Sequence, residues 1–111
     1  MILGIEQITY GAGDLDTCRR FFADWGLSLV QDQDSRLVFE SLNGCRVVIA
    51  DPARVVLPAP IEEGPTLREV TWGVRDAASL ASLRTRLAGA KGFDDAGDSI
   101  GTVDPNGLAI R

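Results

Sequence analysis

The chain has 111 residues, 45% of them apolar, and a formal net charge of −5, which fits one globular domain. It contains no histidine, and this removes the commonest general base and metal ligand and excludes serine–histidine and cysteine–histidine nucleophile pairs. There is no basic cluster, no signal-peptide pattern and no apolar run of about 20 residues, so we expect no nucleic-acid partner, no membrane and a cytoplasmic location.

Two segments of the chain are copies of one pattern. Residues 5–14 (IEQITYGAGD) align with residues 67–76 (LREVTWGVRD) when the chain is shifted by 62 positions. Both segments alternate with a period of two residues, which predicts a strand in each. The identical pairs are Thr9 with Thr71, Gly11 with Gly73 and Asp14 with Asp76.

A helix is predicted after each of these strands. Asp14 and Asp76 are suitable N-caps, because a short carboxylate accepts a hydrogen bond from a free backbone N–H. Apolar residues then follow at helical spacing in both copies, and Gly26 and Gly89 end the two helices. The aromatic residues of these elements are expected in the core: Tyr10, Phe21, Phe22, Trp25 and Trp72.

The remaining strands are predicted around two Asn-Gly turns. Asn43-Gly44 and Asn106-Gly107 are hairpin signals in which both residues can take positive φ. These turns align at an offset of 63, so one residue is inserted in the second copy. The predicted strands cover residues 27–31, 36–39 and 45–50 in the first copy and about 92–96 and 108–111 in the second.

The sequence therefore predicts a single α+β domain over residues 1–111 made of tandem βαβββ units. Unit one covers residues 1–50 and unit two covers residues 66–111. Residues 51–65 contain four prolines and are predicted to form an extended surface linker.

Several of these motifs are shared with a known group of proteins. They are a polar residue in the first strand, the Asp-Leu-Asp helix start at 14–16, the pattern FFxxWGL at 21–27 and the turn Asp-Pro-Asn-Gly at 104–107. Together they resemble the vicinal oxygen chelate superfamily, which includes glyoxalase I, bleomycin-resistance proteins and extradiol dioxygenases. The resemblance implies that two βαβββ units form one U-shaped mixed sheet, a trough with the helices outside.

The resemblance also implies where a site would lie. Members of the superfamily bind a divalent metal in the trough, through the first and last strands of each unit. The matching positions in this chain are Gln7, Val48, Glu69 and Arg111. Strand alternation places two threonines beside them on the same face, so the candidate ligand-binding residues are Gln7, Thr9, Val48, Glu69, Thr71 and Arg111.

No metal is expected at these positions. The permanently protonated guanidinium of Arg111 cannot be a ligand and repels a divalent cation. We hypothesise that Arg111 replaces the metal by pairing with Glu69; the alternative is that Arg111 is a frayed residue in solvent. If a metal binds, it is a divalent ion held weakly by Glu69, Gln7 and water.

Three functions stay open at this point. The leading one is a metal-free domain with a structural or small-molecule-binding role, such as the N-terminal domain of an extradiol-type dioxygenase, because unit two ends inside its predicted last strand. The alternatives are a small dimeric ligand-sequestering protein of the bleomycin-resistance kind, and a divalent-metal-dependent lyase or dioxygenase with substituted ligands. A homodimer or a second domain of the same type is expected as partner, because a single trough exposes sheet surface.

Overall fold

The computed structural model describes residues 2–111 and, within them, has two helices and eight strands in the predicted order. Met1, the first residue of the predicted unit one, lies outside the described residues. Unit one consists of β1 (Ile2–Gly11), α1 (Leu15–Asp24), β2 (Ser28–Gln33), β3 (Arg36–Glu40) and β4 (Arg46–Ala50). Unit two consists of β5 (Thr66–Val74), α2 (Ala77–Leu87), β6 (Asp94–Asp95), β7 (Ile100–Val103) and β8 (Ala109–Ile110).

The strands form one open mixed sheet in the order β2-β3-β4-β1-β5-β8-β7-β6. At its centre β1 and β5 are antiparallel, and each runs parallel to the last strand of its own unit. Gln7 lies opposite Arg46 in unit one, and Glu69 lies opposite Ala109 in unit two. These pairs correspond under the offsets of 62 and 63, so the sheet repeats the register that the duplication predicts.

Both predicted helix starts are confirmed. The Asp14 carboxylate accepts a hydrogen bond from the Thr17 N–H at 3.0 Å, and that of Asp76 accepts one from the Ser79 N–H at 2.8 Å. These hydrogen bonds are the largest cause that lowers the pKa of each carboxyl group below its usual value. Gly26 has a φ of 90° after α1, which is the predicted left-handed stop.

The two Asn-Gly turns have the same geometry. The Gly44 N–H donates to the Ser41 carbonyl at 3.0 Å, and the Gly107 N–H donates to the Asp104 carbonyl at 2.9 Å. Only the glycines are left-handed, because no other residue type between 2 and 111 has a positive φ. The asparagines, which can also take positive φ, do not do so here, since a four-residue turn closed in this way needs only its last residue left-handed.

The hydrophobic core lies mainly in unit one. Leu37, Phe39 and Ile49 have no exposed surface, and Tyr10 and Phe22 pack against this cluster. Burial of each large apolar side chain contributes roughly 1.5–3 kcal/mol. Helix α2 has no buried residue, and its leucines and the strands of unit two line a cavity of about 340 Å³.

The prediction that all five aromatic residues lie in the core is wrong for three of them. Phe21, Trp25 and Trp72 are 52%, 73% and 41% exposed. Phe22 is the ring of α1 that reaches Phe39, with centroids 5.5 Å apart, whereas Phe21 and Trp25 lie against each other on the flank at 6.0 Å. Trp72 lines the open cavity under α2.

The less regular parts of the prediction are shifted or shortened. The strand predicted at 27–31 is found at Ser28–Gln33, and the one predicted at 92–96 is reduced to Asp94–Asp95. Residues 51–65 contain no helix or strand, and most of them are exposed, as predicted for the linker. No helix within residues 2–111 has the length and apolar character to cross a membrane.

Candidate functional site

A polar cavity of about 540 Å³ lies over the sheet where the two units meet. Its walls come from β1 and β5 at the centre of the sheet, with contributions from β4 and from the segment between β6 and β7. Four of the six predicted trough residues line it: Gln7, Glu69, Thr71 and Arg111.

The other two predicted residues, Thr9 and Val48, are only 7% and 3% exposed and do not line the cavity. They lie opposite each other on β1 and β4. Near this end of the trough the linker crosses the sheet, and Arg68 donates a hydrogen bond to the Pro58 carbonyl at 3.0 Å. Thr9 and Val48 therefore belong to the buried part of the sheet and not to the cavity wall.

Arg111 continues β8 in register along β5. Its N–H donates to the Val70 carbonyl at 2.9 Å, and its carbonyl accepts from the Trp72 N–H at 2.8 Å. Arg111 thus lies beside Thr71, as Val48 lies beside Thr9. The register deduced from the inserted residue is correct, and the side chain, which is 27% exposed, is not frayed.

The predicted ion pair between Arg111 and Glu69 is present, with Nε and Oε2 3.6 Å apart. A second partner was not foreseen: Nη2 lies 2.5 Å from Oδ2 of Asp94. Nη1 also donates to the Ser99 hydroxyl at 3.1 Å. The Asp94 hydrogen bond is the largest cause that raises the pKa of Arg111, and the charge of Glu69 adds to it.

Gly101 makes the contact with Asp94 possible. The β7–β8 register places Gly101 beside Arg111, and Gly101 also lies opposite Asp94 on β6. A Cβ atom on Gly101 would lie 2.9 Å from Nη2 of Arg111. Because that atom is missing, the guanidinium lies across β7 and reaches β6; the matching residue of unit one, Val38, would block this path.

Charge around the cavity is not balanced. Arg111 is paired as described, and Arg46 lies 3.5 Å from Glu40. Glu6 and Asp98 also line the cavity, and no arginine or lysine within residues 2–111 forms an ion pair with either. The cavity is therefore acidic overall, with its two arginines already engaged by carboxylates.

The residues at the metal positions that the resemblance predicts do not fit a divalent ion. Glu69 is the single carboxylate among them, Gln7 supplies an amide, Val48 is apolar and Arg111 is a fixed cation. Within residues 2–111 no three Cys, Asp or Glu side chains are grouped in a way that would hold a metal. The guanidinium instead occupies the position from which the last strand would supply a ligand.

Comparison with known proteins identifies the fold. The chain is similar to an extradiol ring-cleaving dioxygenase from B. fuscum, with a TM-score of 0.69 and 16% identity over 98% of this chain and 31% of that one. It is also similar to methylmalonyl-CoA epimerase from Mycobacterium tuberculosis, with a TM-score of 0.62 and 12% identity over 98% of this chain and 85% of that one. No family model and no curated protein matches the sequence.

The chain spans about a third of the dioxygenase's length, 31%. The TM-scores of 0.69 and 0.62 show that the overall fold is shared with both structures. The predicted resemblance therefore holds at the level of the fold: the chain folds like the extradiol dioxygenase and the epimerase.

Proposed function

We propose that this chain is a metal-free domain of the glyoxalase/dioxygenase superfamily that binds a polar small molecule in the trough cavity. The observation that carries the proposal is the position of Arg111. Its guanidinium is fixed between Glu69 and Asp94 at a position where the sequence resemblance predicts a metal ligand. A cation held there neutralises Glu69 and leaves a polar cavity lined by the Gln7 amide and the Thr71 hydroxyl.

The similarity to a dioxygenase chain about three times longer supports a role inside a larger protein. In this proposal the chain is the metal-free domain of an extradiol-type dioxygenase, and ring-cleaving chemistry belongs to another part of that protein. The acidic cavity and the similarity to a chain of which this one covers 85% support the second candidate, a free-standing ligand-sequestering protein of the bleomycin-resistance kind.

Exposed apolar residues support a partner in either case. Ile2, Leu3 and Ile5 on β1 are 55%, 68% and 45% exposed, and Trp72, opposite Ile5 on β5, is 41% exposed. A cluster of this kind on the central strands favours contact with a second copy or a second similar domain. Light scattering over a concentration series tests the homodimer: a monomer at all concentrations would leave only the second domain as partner.

The metal-free state is tested with two variants of Arg111. Melting temperatures are measured for the wild type, Arg111→Glu and Arg111→Met, with and without Mn²⁺ or Fe²⁺. An ion that binds only the folded state raises the melting temperature. We expect no rise for the wild type or for Arg111→Met, and a rise for Arg111→Glu, in which Glu69 and the new carboxylate lie on adjacent strands.

Two outcomes would contradict the proposal. A rise in the wild type comparable with that of the Glu variant would show that Arg111 does not exclude the metal. If Arg111→Glu folds and binds no metal, Arg111 does not occupy a ligand position at all. Circular dichroism of each variant before the titration establishes that it is folded.

A further inference from the structure

Arg68 is a buried cation without a counter-ion. Its residue surface is 9% exposed, and no carboxylate within residues 2–111 forms an ion pair with it. The buried Nε atom has no hydrogen-bond partner. The hydrogen-bonding capacity of this guanidinium is therefore largely unused in the folded chain. A buried charge in this state is costly.

The geometry of the sheet holds this guanidinium in place. Arg68 is an extra residue in β5 at a β-bulge, where Thr9 pairs with Glu69 and the next residue, Tyr10, pairs with Leu67. The guanidinium lies against Gly11, so that a Cβ on Gly11 would be 3.0 Å from Nε and 3.2 Å from Nη2. The guanidinium therefore has a defined position against Gly11 on the trough face, which we call the Arg68 seat. It does not line the polar cavity.

The linker is tied to this guanidinium by a hydrogen bond. The Pro58 carbonyl accepts the hydrogen bond from Nη1 of Arg68. For residues 56–65 this is the one hydrogen bond to any other part of the described chain, and residues 59–65 are exposed. Moving this segment would break that one hydrogen bond and would free Nη1 of Arg68.

We propose that Arg68 is a binding site for the carboxylate group of a small organic acid, and that linker residues 56–65 are the strap that closes over it. The Nε–Nη2 edge presents two parallel N–H donors, the arrangement that a planar carboxylate accepts in a bidentate pair. A bound carboxylate neutralises the buried charge and satisfies Nε. The site is separate from the trough cavity, so a negative result at either one leaves the other standing.

The experiment follows the Nε–H resonance of Arg68 by NMR while sodium acetate is added to the wild-type chain. Sodium chloride at equal ionic strength is the control for screening. We expect acetate to shift the Arg68 resonance saturably, with accompanying changes in residues 56–65, and chloride to leave it unchanged. The Nε–H of Arg54, an exposed arginine in the same linker, serves as the reference and should not respond.

Two variants test the seat and the donor edge separately. Arg68→Lys keeps the charge but lacks the two-donor edge, and Gly11→Ala keeps the arginine but places a methyl group against it. Both should lose the saturable response of the linker resonances to acetate. An unchanged Arg68 resonance in the wild type, an equal response to chloride, or a response to inorganic phosphate but not acetate would overturn the proposal. The wild-type titration decides the question even if a variant does not fold.

Discussion

A double-mutant cycle on Arg111 and Glu69 measures how strongly the guanidinium neutralises the trough. Glu69 is 17% exposed, so Arg111→Met leaves a mostly buried carboxylate without its cation, at a cost of about 1–3 kcal/mol. Glu69→Gln should lower the free energy of unfolding by less than about 1 kcal/mol, because Arg111 keeps its contacts with Asp94 and Ser99. The double variant should lose about 1 kcal/mol less unfolding free energy than the two single variants lose together.

Urea denaturation of the four proteins provides the free energies of unfolding. The matched control is the same cycle on Arg46 and Glu40, which are 3.5 Å apart but 54% and 37% exposed. Solvent screens that pair, so its coupling energy should be below about 0.5 kcal/mol. If the losses at Arg111 and Glu69 also add to within about 0.5 kcal/mol, the two residues are not coupled and the guanidinium does not act as a counter-ion for Glu69.

Three further predictions concern the packing and the charges. Gly101→Ala should displace the Arg111 guanidinium, seen as a shift of its Nε–H resonance, with little loss of stability; an unmoved resonance would show that the guanidinium does not lie over Gly101. Phe39→Ala should lower the free energy of unfolding, measured by urea denaturation, by about 3–5 kcal/mol. Thr102→Ala, at the matching position of unit two, should lower it by less than about 1 kcal/mol. Equal losses would contradict the conclusion that the core lies mainly in unit one. The pKa of Asp14 is lowered in the folded state, so its ionised form stabilises the fold at pH values above the unfolded pKa of about 3.9. This stabilisation is lost as the pH falls through the lower pKa of the folded state. Asp14→Asn retains a capping side chain and should therefore leave the melting temperature at pH 7 nearly unchanged while flattening its fall below about pH 4; an identical fall would contradict it.

The duplication carries most of what the sequence predicts correctly. Aligned turns fix the single inserted residue, and this in turn fixes the register that places Arg111 beside Thr71, where its side chain reaches Glu69. Both helix starts follow from Asp14 and Asp76, since N-caps depend on local chemistry alone. Features that repeat between the copies or depend on a few neighbouring residues are therefore accessible without a structure.

What the sequence misses depends on contacts between distant segments. Asp94 lies on a strand of two residues with a weak pattern, and its approach to Arg111 requires the missing side chain of Gly101. The sequence does contain a signal for this contact, because Gly101 aligns with Val38 in unit one. That signal can be interpreted only when the register of the strands is known. The seat of Arg68 depends on a β-bulge and on the path of the linker, neither of which has a signature in the sequence.

The exposed aromatic residues have a similar explanation. Helical spacing places Phe21, Phe22 and Trp25 on overlapping parts of α1, and it does not determine which ring faces the sheet. In unit two the positions that match Phe22 and Phe39 are Arg84 and Thr102. These residues do not fill the space under α2, so Trp72 stays partly exposed beside a cavity.

If Arg111 takes the place of a metal ion, the freshly purified chain should contain almost no bound metal. Elemental analysis after purification without chelators should give iron, manganese, nickel and zinc each far below one equivalent per chain. This is expected because the four family positions hold an amide, an apolar side chain, one carboxylate and a guanidinium. A near-stoichiometric content of any of these metals would show that Arg111 does not take the place of a metal ion.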